Sequence, residues 1–187
     1  DIEAIEGDAM PAIMAESDAF VDLTDPELDG RWLDWKAAAG TEPFRSLFTA
    51  LALSNDACRS HGGRVTGDPT ETAIFHAAVD AGFDKAALEA DAPRVGELPF
   101  DSERKRMTTV HHLGQFDATV LAGLEIGTHR YIAFTKGSVD GMLGIASHVW
   151  VNGQAQKLDN QFKVRIEAAN ERLAKKGMRV LGVAFRL

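Results

Sequence analysis

An α+β fold, with helices set apart from an antiparallel sheet in a single domain, is what this 187-residue chain predicts. Apolar residues recur at helical spacing between Pro43 and Ala90. Segments rich in β-formers, separated by short turns, then follow between Arg94 and Thr135. A long helical pattern and one alternating strand close the chain.

The elements can be taken in order. Residues 1–40 are acidic and irregular, broken at Asp25-Pro26 and Gly40, with Trp32, Leu33 and Trp35 available to pack on the domain. Pro43 to Asn55 reads as a helix, because Phe44, Leu47, Phe48 and Leu51 share one face. A loop carrying Gly62 and Gly63 follows. The second helix starts at Asp68-Pro69, an acceptor at the cap and a proline in the first turn, and runs to Gly82. A short helix is expected over Asp84 to Ala90. Arg94 to Phe100, Arg106 to Leu113, Ala118 to Glu125 and Arg130 to Thr135 read as a meander, with turns at Gly114-Gln115 and Gly127-Thr128. Helices over Ser138 to Ser147 and Asp159 to Lys176 come next, the second stopped by Gly177. Met178 to Leu187 alternates as the last strand.

Composition narrows the function classes. A net charge of −8 argues against nonspecific nucleic-acid binding, which needs a basic footprint, and against docking on an anionic membrane. The longest nearly charge-free stretch, Leu47 to Asn55, is far too short to span a bilayer, and Asp1 to Asp8 lacks a secretory pattern. Cys58 is the only cysteine, so no intrachain disulfide forms, and a small buried residue is the expectation there. His111 and His112 are adjacent, so on a strand they face opposite sides and do not chelate one ion. No metal site is expected.

Five segments stand out: Gly67-Asp68-Pro69-Thr70-Glu71, Pro99-Phe100-Asp101-Ser102-Glu103-Arg104-Lys105-Arg106-Met107, Phe134-Thr135-Lys136-Gly137, Asn170-Glu171-Arg172-Leu173-Ala174 and Gly177-Met178-Arg179-Val180-Leu181. Singly, each has a plain structural reading. Glu71 is a first-turn acid favoured by the helix dipole, Phe100 a core residue, the Glu103 to Arg106 run a solvated turn, and Arg179 a snorkelling edge residue.

Together and in this order they resemble the insert of P-type cation-transporting ATPases that carries the nucleotide site, in the branch of the calcium and sodium/potassium pumps. The resemblance covers Pro43 to Leu187; residues 1–40 match loosely, so the whole chain, 1–187, is expected to be one nucleotide-binding domain with an acidic N-terminal portion. The resemblance implies a ligand, ATP, and a role for each of seven residues. Phe100 matches the aromatic that stacks on adenine, and a flat apolar ring suits a purine face. Lys136 matches the lysine at the floor of the adenine pocket, with Gly137 allowing close backbone approach. Glu71 matches the carboxylate that accepts from the adenine amino group. Lys105 matches the lysine that reaches the phosphates, and Arg179 the arginine that meets them with a planar, multi-donor group. Leu181 lies two residues after Arg179 on the expected strand and would close the pocket from the same side.

The sequence also departs from the family. After Lys136-Gly137 the family's Ala-Pro-Glu is replaced by Ser138-Val139-Asp140, and Ser102 stands where the muscle calcium pump has a basic residue. No Asp-Lys-Thr-Gly-Thr, P-loop or kinase motif is present. The chain itself is therefore expected to be inactive, with no catalytic residue of its own. Its parent would be a P-type ATPase using Mg-ATP, and its partners the phosphorylation and actuator domains of the same parent chain. The domain would lie on the cytoplasmic side of a membrane as a monomer, without nucleic acid or direct membrane contact. The alternative is a regulatory or interaction module of the same fold that has lost nucleotide affinity.

Overall fold

One helix is enclosed on nearly every side, by two further helices and one face of the main sheet. The computed structural model describes residues 10–11, 39–42, 44–60, 62–114, 126–151 and 154–187. Along the chain come β1 (Met10–Pro11), α1 (Phe44–Leu53), β2 (Cys58–Arg59), β3 (Val65–Thr66), α2 (Pro69–Asp80), α3 (Lys85–Asp91), β4 (Arg94–Asp101), β5 (Arg106–His112), β6 (Tyr131–Gly137), α4 (Val139–Ile145), β7 (His148–Val151), β8 (Gln154–Lys157), α5 (Asn160–Ala174) and β9 (Gly182–Arg186). Every residue of α1 from Ser46 to Leu53 is buried, so this helix needs cover all round.

The main sheet has the order β4-β5-β6-β9, each neighbour antiparallel. Strand alternation splits its faces. Ile132, Phe134, Val183 and Phe185 pack in the same core as Leu47, Phe48 and Leu51 of α1. On the other face Ala184 meets Met142 of α4. A second cluster joins Val139 and Leu143 of α4 to Ile166 of α5 and Val149 of β7. The α+β class is as the sequence predicts. Among the described residues no helix is long and apolar enough to cross a membrane.

Helix starts follow the caps in the sequence. Asp68 accepts from Thr70 N at 2.8 Å, Asp84 from Ala87 N at 3.0 Å, and Asp159 from Phe162 N at 2.9 Å. The Ser138 hydroxyl likewise accepts from Gly141 N at 3.3 Å. Each occupies one of the free N–H groups of a first turn.

Elsewhere the structure corrects the sequence reading. Cys58 is exposed, not buried, because it lies on β2, a two-residue ladder with β3 closed over the glycine loop. The final strand is shorter than expected: β9 begins at Gly182, opposite Gly137, where β6 ends. Residues 178–181 are not in a strand, and Arg179 and Leu181 precede β9 rather than lie on it. The hairpin of β7 and β8 was not anticipated, although the Asn152-Gly153 pair between its strands is a recognised hairpin signal. β7 also pairs in parallel with β1, Met10 opposite Val149. Trp32, Leu33, Trp35 and the strand expected over 118–125 lie outside the described residues.

Candidate functional site

The last carbonyls of a helix have no partner within it and attract cations. At the end of α1 and in the turn that leaves it, three cations from three elements bond backbone carbonyls. Lys136 of β6 donates to Ser54 O, and Lys85 of α3 to Asn55 O and, at 3.1 Å, to Ala57 O. Arg94 of β4 donates from Nη2 to Leu53 O at 3.1 Å and to Asn55 O at 2.9 Å. Its Nη1 reaches Asp56 at 2.8 Å and Glu97 at 2.9 Å.

Lys136 also forms an ion pair with Glu71 Oε2 at 2.7 Å, the side chains only 5% and 17% exposed. β6 alternation puts Lys136 after Ile132 and Phe134 on the face that packs α1, so its ammonium emerges where α1 stops. Burial pulls the Lys136 pKa below its ordinary value, and the hydrogen bond and charge of Glu71 oppose that pull. The same Oε2 accepts the Asp56 N–H at 3.1 Å, while Asn55 Nδ2 donates to the Glu71 carbonyl at 3.1 Å. Asn55 is itself fully buried, and its Oδ1 accepts from Ala57 N at 2.7 Å. Glu71 enters this corner because the Asp68 cap starts α2 there and leaves residue 71 in the first turn.

Beside this closed corner lies an open rim. Phe100, near the end of β4, has 65% of its surface exposed, which removes the core reading of this ring. Asp101 folds the turn that follows, accepting from Glu103 N at 2.9 Å and Arg104 N at 2.8 Å. These bonds, the one from Arg104 N foremost, hold its carboxyl below the usual carboxylate range. Lys105 closes the turn with a left-handed backbone, φ 53°, and its carbonyl accepts from Ser138 N at 3.0 Å. Its ammonium lies 3.3 Å from Asp140 Oδ2, both side chains well exposed. Arg179 donates from Nη1 to the Thr70 hydroxyl at 2.6 Å, next to Glu71.

Two residues serve differently from the sequence expectation. A side chain at Gly137 would run into the Lys105 carbonyl and Arg106, so the close backbone approach there is made by the protein's own turn. Leu181 is half-buried against the α1 core, beside Gly182, which pairs with Gly137.

Register ties these residues into one neighbourhood. Asp101 pairs with Arg106, Arg106 with Gly137, and Gly137 with Gly182. One end of the sheet thus gathers Phe100, Lys105, Lys136, Gly137 and Leu181, with Glu71 tied to Lys136. Chemically the arrangement offers an open aromatic face, a fixed carboxylate for a donor group, and two exposed cations for an anion. Sequence reading did not single out Asn55, Asp56 or Arg94, and it gave Thr70, inside a segment that stood out, no role of its own. Their roles arise from contacts at separations such as Asp56 to Arg94, 38 residues apart.

Residues 43–187 match the family described as P-type ATPase, cytoplasmic domain N. The chain is 34% identical over 142 residues to "Calcium-transporting ATPase 1" of Bacillus cereus, covering 76% of this chain and 14% of that protein. It is 31% identical over 140 residues to "Calcium-transporting ATPase 1" of Lactococcus lactis, covering 75% and 14%. It is 36% identical over 140 residues to "Probable cation-transporting ATPase F" of Mycobacterium tuberculosis, covering 73% and 14%.

Proposed function

The chain belongs to the family of P-type ATPase cytoplasmic N domains, and from that membership we propose that it binds ATP at the sheet end where Glu71, Phe100, Lys105, Lys136 and Arg179 meet. It spans about 14% of the length of the curated relatives it matches, so transport, phosphoryl transfer and the magnesium they need belong to a larger parent. In that parent this domain carries the γ-phosphate to an aspartate on a separate phosphorylation domain. The parent is a membrane cation pump, and this domain stands on its cytoplasmic side.

The observation that carries the reading is the buried Glu71–Lys136 pair at the same sheet end as an aromatic ring left 65% exposed. The residues fit the ligand. Phe100 offers a π-face to the purine, at a site where exposing an aromatic would otherwise bring no benefit. Glu71 Oε2 is occupied by two protein donors, which leaves Oε1 to accept the adenine amino group. Lys105 and Arg179 supply charge for the phosphates from exposed positions. Bound ATP brings the transferable phosphoryl group; this chain's residues orient it, and positioning is a large share of phosphoryl-transfer catalysis. A regulatory module without nucleotide affinity is the second reading, favoured only by the Lys105–Asp140 ion pair, which occupies a phosphate-facing lysine.

Calorimetric titration tests the proposal. With one stacked ring and few exposed cations, ATP is expected to bind at roughly 0.1 to a few mM. GTP should bind clearly worse, since it presents a carbonyl where Glu71 needs a donor. Phe100→Ala should weaken ATP by about fivefold, on the order of 1 kcal/mol, with an unchanged melting curve. No binding of ATP at about 10 mM would leave the regulatory reading in place.

A further inference from the structure

We infer that Arg94 is a positioning residue for base selectivity, acting through the peptide that joins Asn55 to Asp56; this rests on the ATP reading above. A trans peptide is planar, so its C=O and N–H point in opposite directions and turn together. In the 55–56 peptide, the Asn55 carbonyl is held by Arg94 Nη2 at 2.9 Å and by Lys85. The Asp56 N–H at the other end donates to Glu71 Oε2 at 3.1 Å. Fixing the carbonyl end fixes the direction of that N–H. Cations on the carbonyl also polarise the peptide and strengthen its donor.

Arg94 is suited to the task because one planar group reaches three acceptors of the same turn. Nη2 bridges the Leu53 and Asn55 carbonyls while Nη1 holds the Asp56 carboxylate at 2.8 Å. Lys85 bonds the Asn55 and Ala57 carbonyls with a single ammonium, whereas the Arg94 fork holds the Asn55 carbonyl and the Asp56 carboxylate together. Glu71 is thereby constrained at its carboxylate by Asp56 N and at its main chain by Asn55 Nδ2. Oε2 is committed to the protein, and the direction of Oε1 follows from it. Arg94 bonds the turn and not the Glu71 carboxylate among the described contacts, and its charge is felt at Lys136, yet it is through the 55–56 peptide that it sets where the carboxylate points.

The experiment compares the wild-type chain with Arg94→Met, Arg94→Lys and Asp56→Ala. ATP and GTP affinities are measured by titration, and the Asp56 amide proton is followed by NMR. Arg94→Met should weaken ATP by about fivefold while leaving GTP unchanged, shrinking the ATP:GTP preference by the same factor. The Asp56 amide should shift upfield as its bond to Glu71 lengthens. Arg94→Lys should restore only part of the preference, because an ammonium lacks the planar fork. Asp56→Ala keeps the N–H, removes only an exposed carboxylate, and should move both readouts in the same direction; it decides the matter if Arg94→Met does not fold. A lowered melting point with the full ATP:GTP preference retained, in whichever of these two variants folds, overturns the positioning role and leaves ATP binding standing. A wild-type chain that binds no ATP, or binds ATP and GTP alike, overturns the ATP reading and this inference with it.

Discussion

The closed corner and the open rim of the candidate site hold the same kinds of residue and treat them in opposite ways. Lys136 is buried, bonded to Glu71 and to a helix-end carbonyl. Lys105 is exposed, and among the described residues its ammonium meets one carboxylate, Asp140. Phe48 is enclosed in the core, whereas Phe100 stands in solvent. In the corner each polar group serves the fold and the site together, so a change there should disturb stability. On the rim the groups are free of that duty, so a change there should register in ligand binding alone.

The largest test of this contrast is the buried ion pair. Lys136→Met leaves the Glu71 carboxylate in a confined place with only a backbone donor, and breaking a buried pair in this way costs about 3–5 kcal/mol. Lys105→Met removes an exposed partner and should cost about 0–1 kcal/mol. Urea unfolding of both variants provides the measurement. Equal midpoints would erase the distinction between corner and rim.

The second test uses acid. His111 sits fully buried on β5, its Nδ1 2.9 Å from Ala92 O and its Nε2 3.0 Å from Thr109 Oγ1. Burial first, then the nearby charges of Arg94 and Lys85, outweigh the Ala92 bond and pull its pKa from 6.5 down to about 4. The folded state thus keeps this ring neutral while the unfolded chain protonates it. Stability from this group is fully present above the unfolded value near 6.5 and is lost as pH falls toward 4, by about 3 kcal/mol in all. Unfolding measured from pH 7 to 4 should show that slope, and His111→Gln should flatten it. A slope unchanged in the variant would assign the acid sensitivity to other groups. His112, half-buried against Tyr131 with ring centroids 5.3 Å apart, faces the other way as strand alternation requires.

Local chemistry was legible in the sequence. Asp68, Asp84, Ser138 and Asp159 each stand before a helix and cap it, because a cap needs only residues within one turn. The turn over Glu103 to Arg106 was legible for the same reason: bonds that Asp101 accepts from the next few residues build it. The support of Glu71 was not. Asn55 and Asp56 look like an ordinary helix exit, and Arg94 like the start of a strand, until β4 is set beside the end of α1. Cys58 misled because residue type sets an average burial, whereas the two-residue ladder with Thr66 sets the actual one. The absence of strand at Arg179 follows from where β6 ends, which lies outside the local sequence of residues 178–181.

The smallest expected effect concerns the residue that departs from the family pattern. Asp140 lies in the first turn of α4, and its carboxyl is held below the usual range by the Ser138 side chain first and by Lys105 second. It therefore stays ionised through neutral pH and keeps its grip on the Lys105 ammonium at 3.3 Å. On the proposed ATP reading, an incoming triphosphate must take that lysine from Asp140 and lie near a fixed negative charge. Asp140→Asn removes both obstacles, so ATP should bind more tightly, but by no more than about fivefold, because an exposed pair contributes only ~0–1 kcal/mol. The gain should shrink as salt rises from about 20 to about 150 mM, where the screening length falls below about 10 Å. Unfolding should be unaffected. Weaker ATP binding in Asp140→Asn would mean that the carboxylate aims the lysine at the phosphates instead of competing for it. The rim would then be pre-organised like the corner, and the contrast between them would fail where it was expected to be clearest.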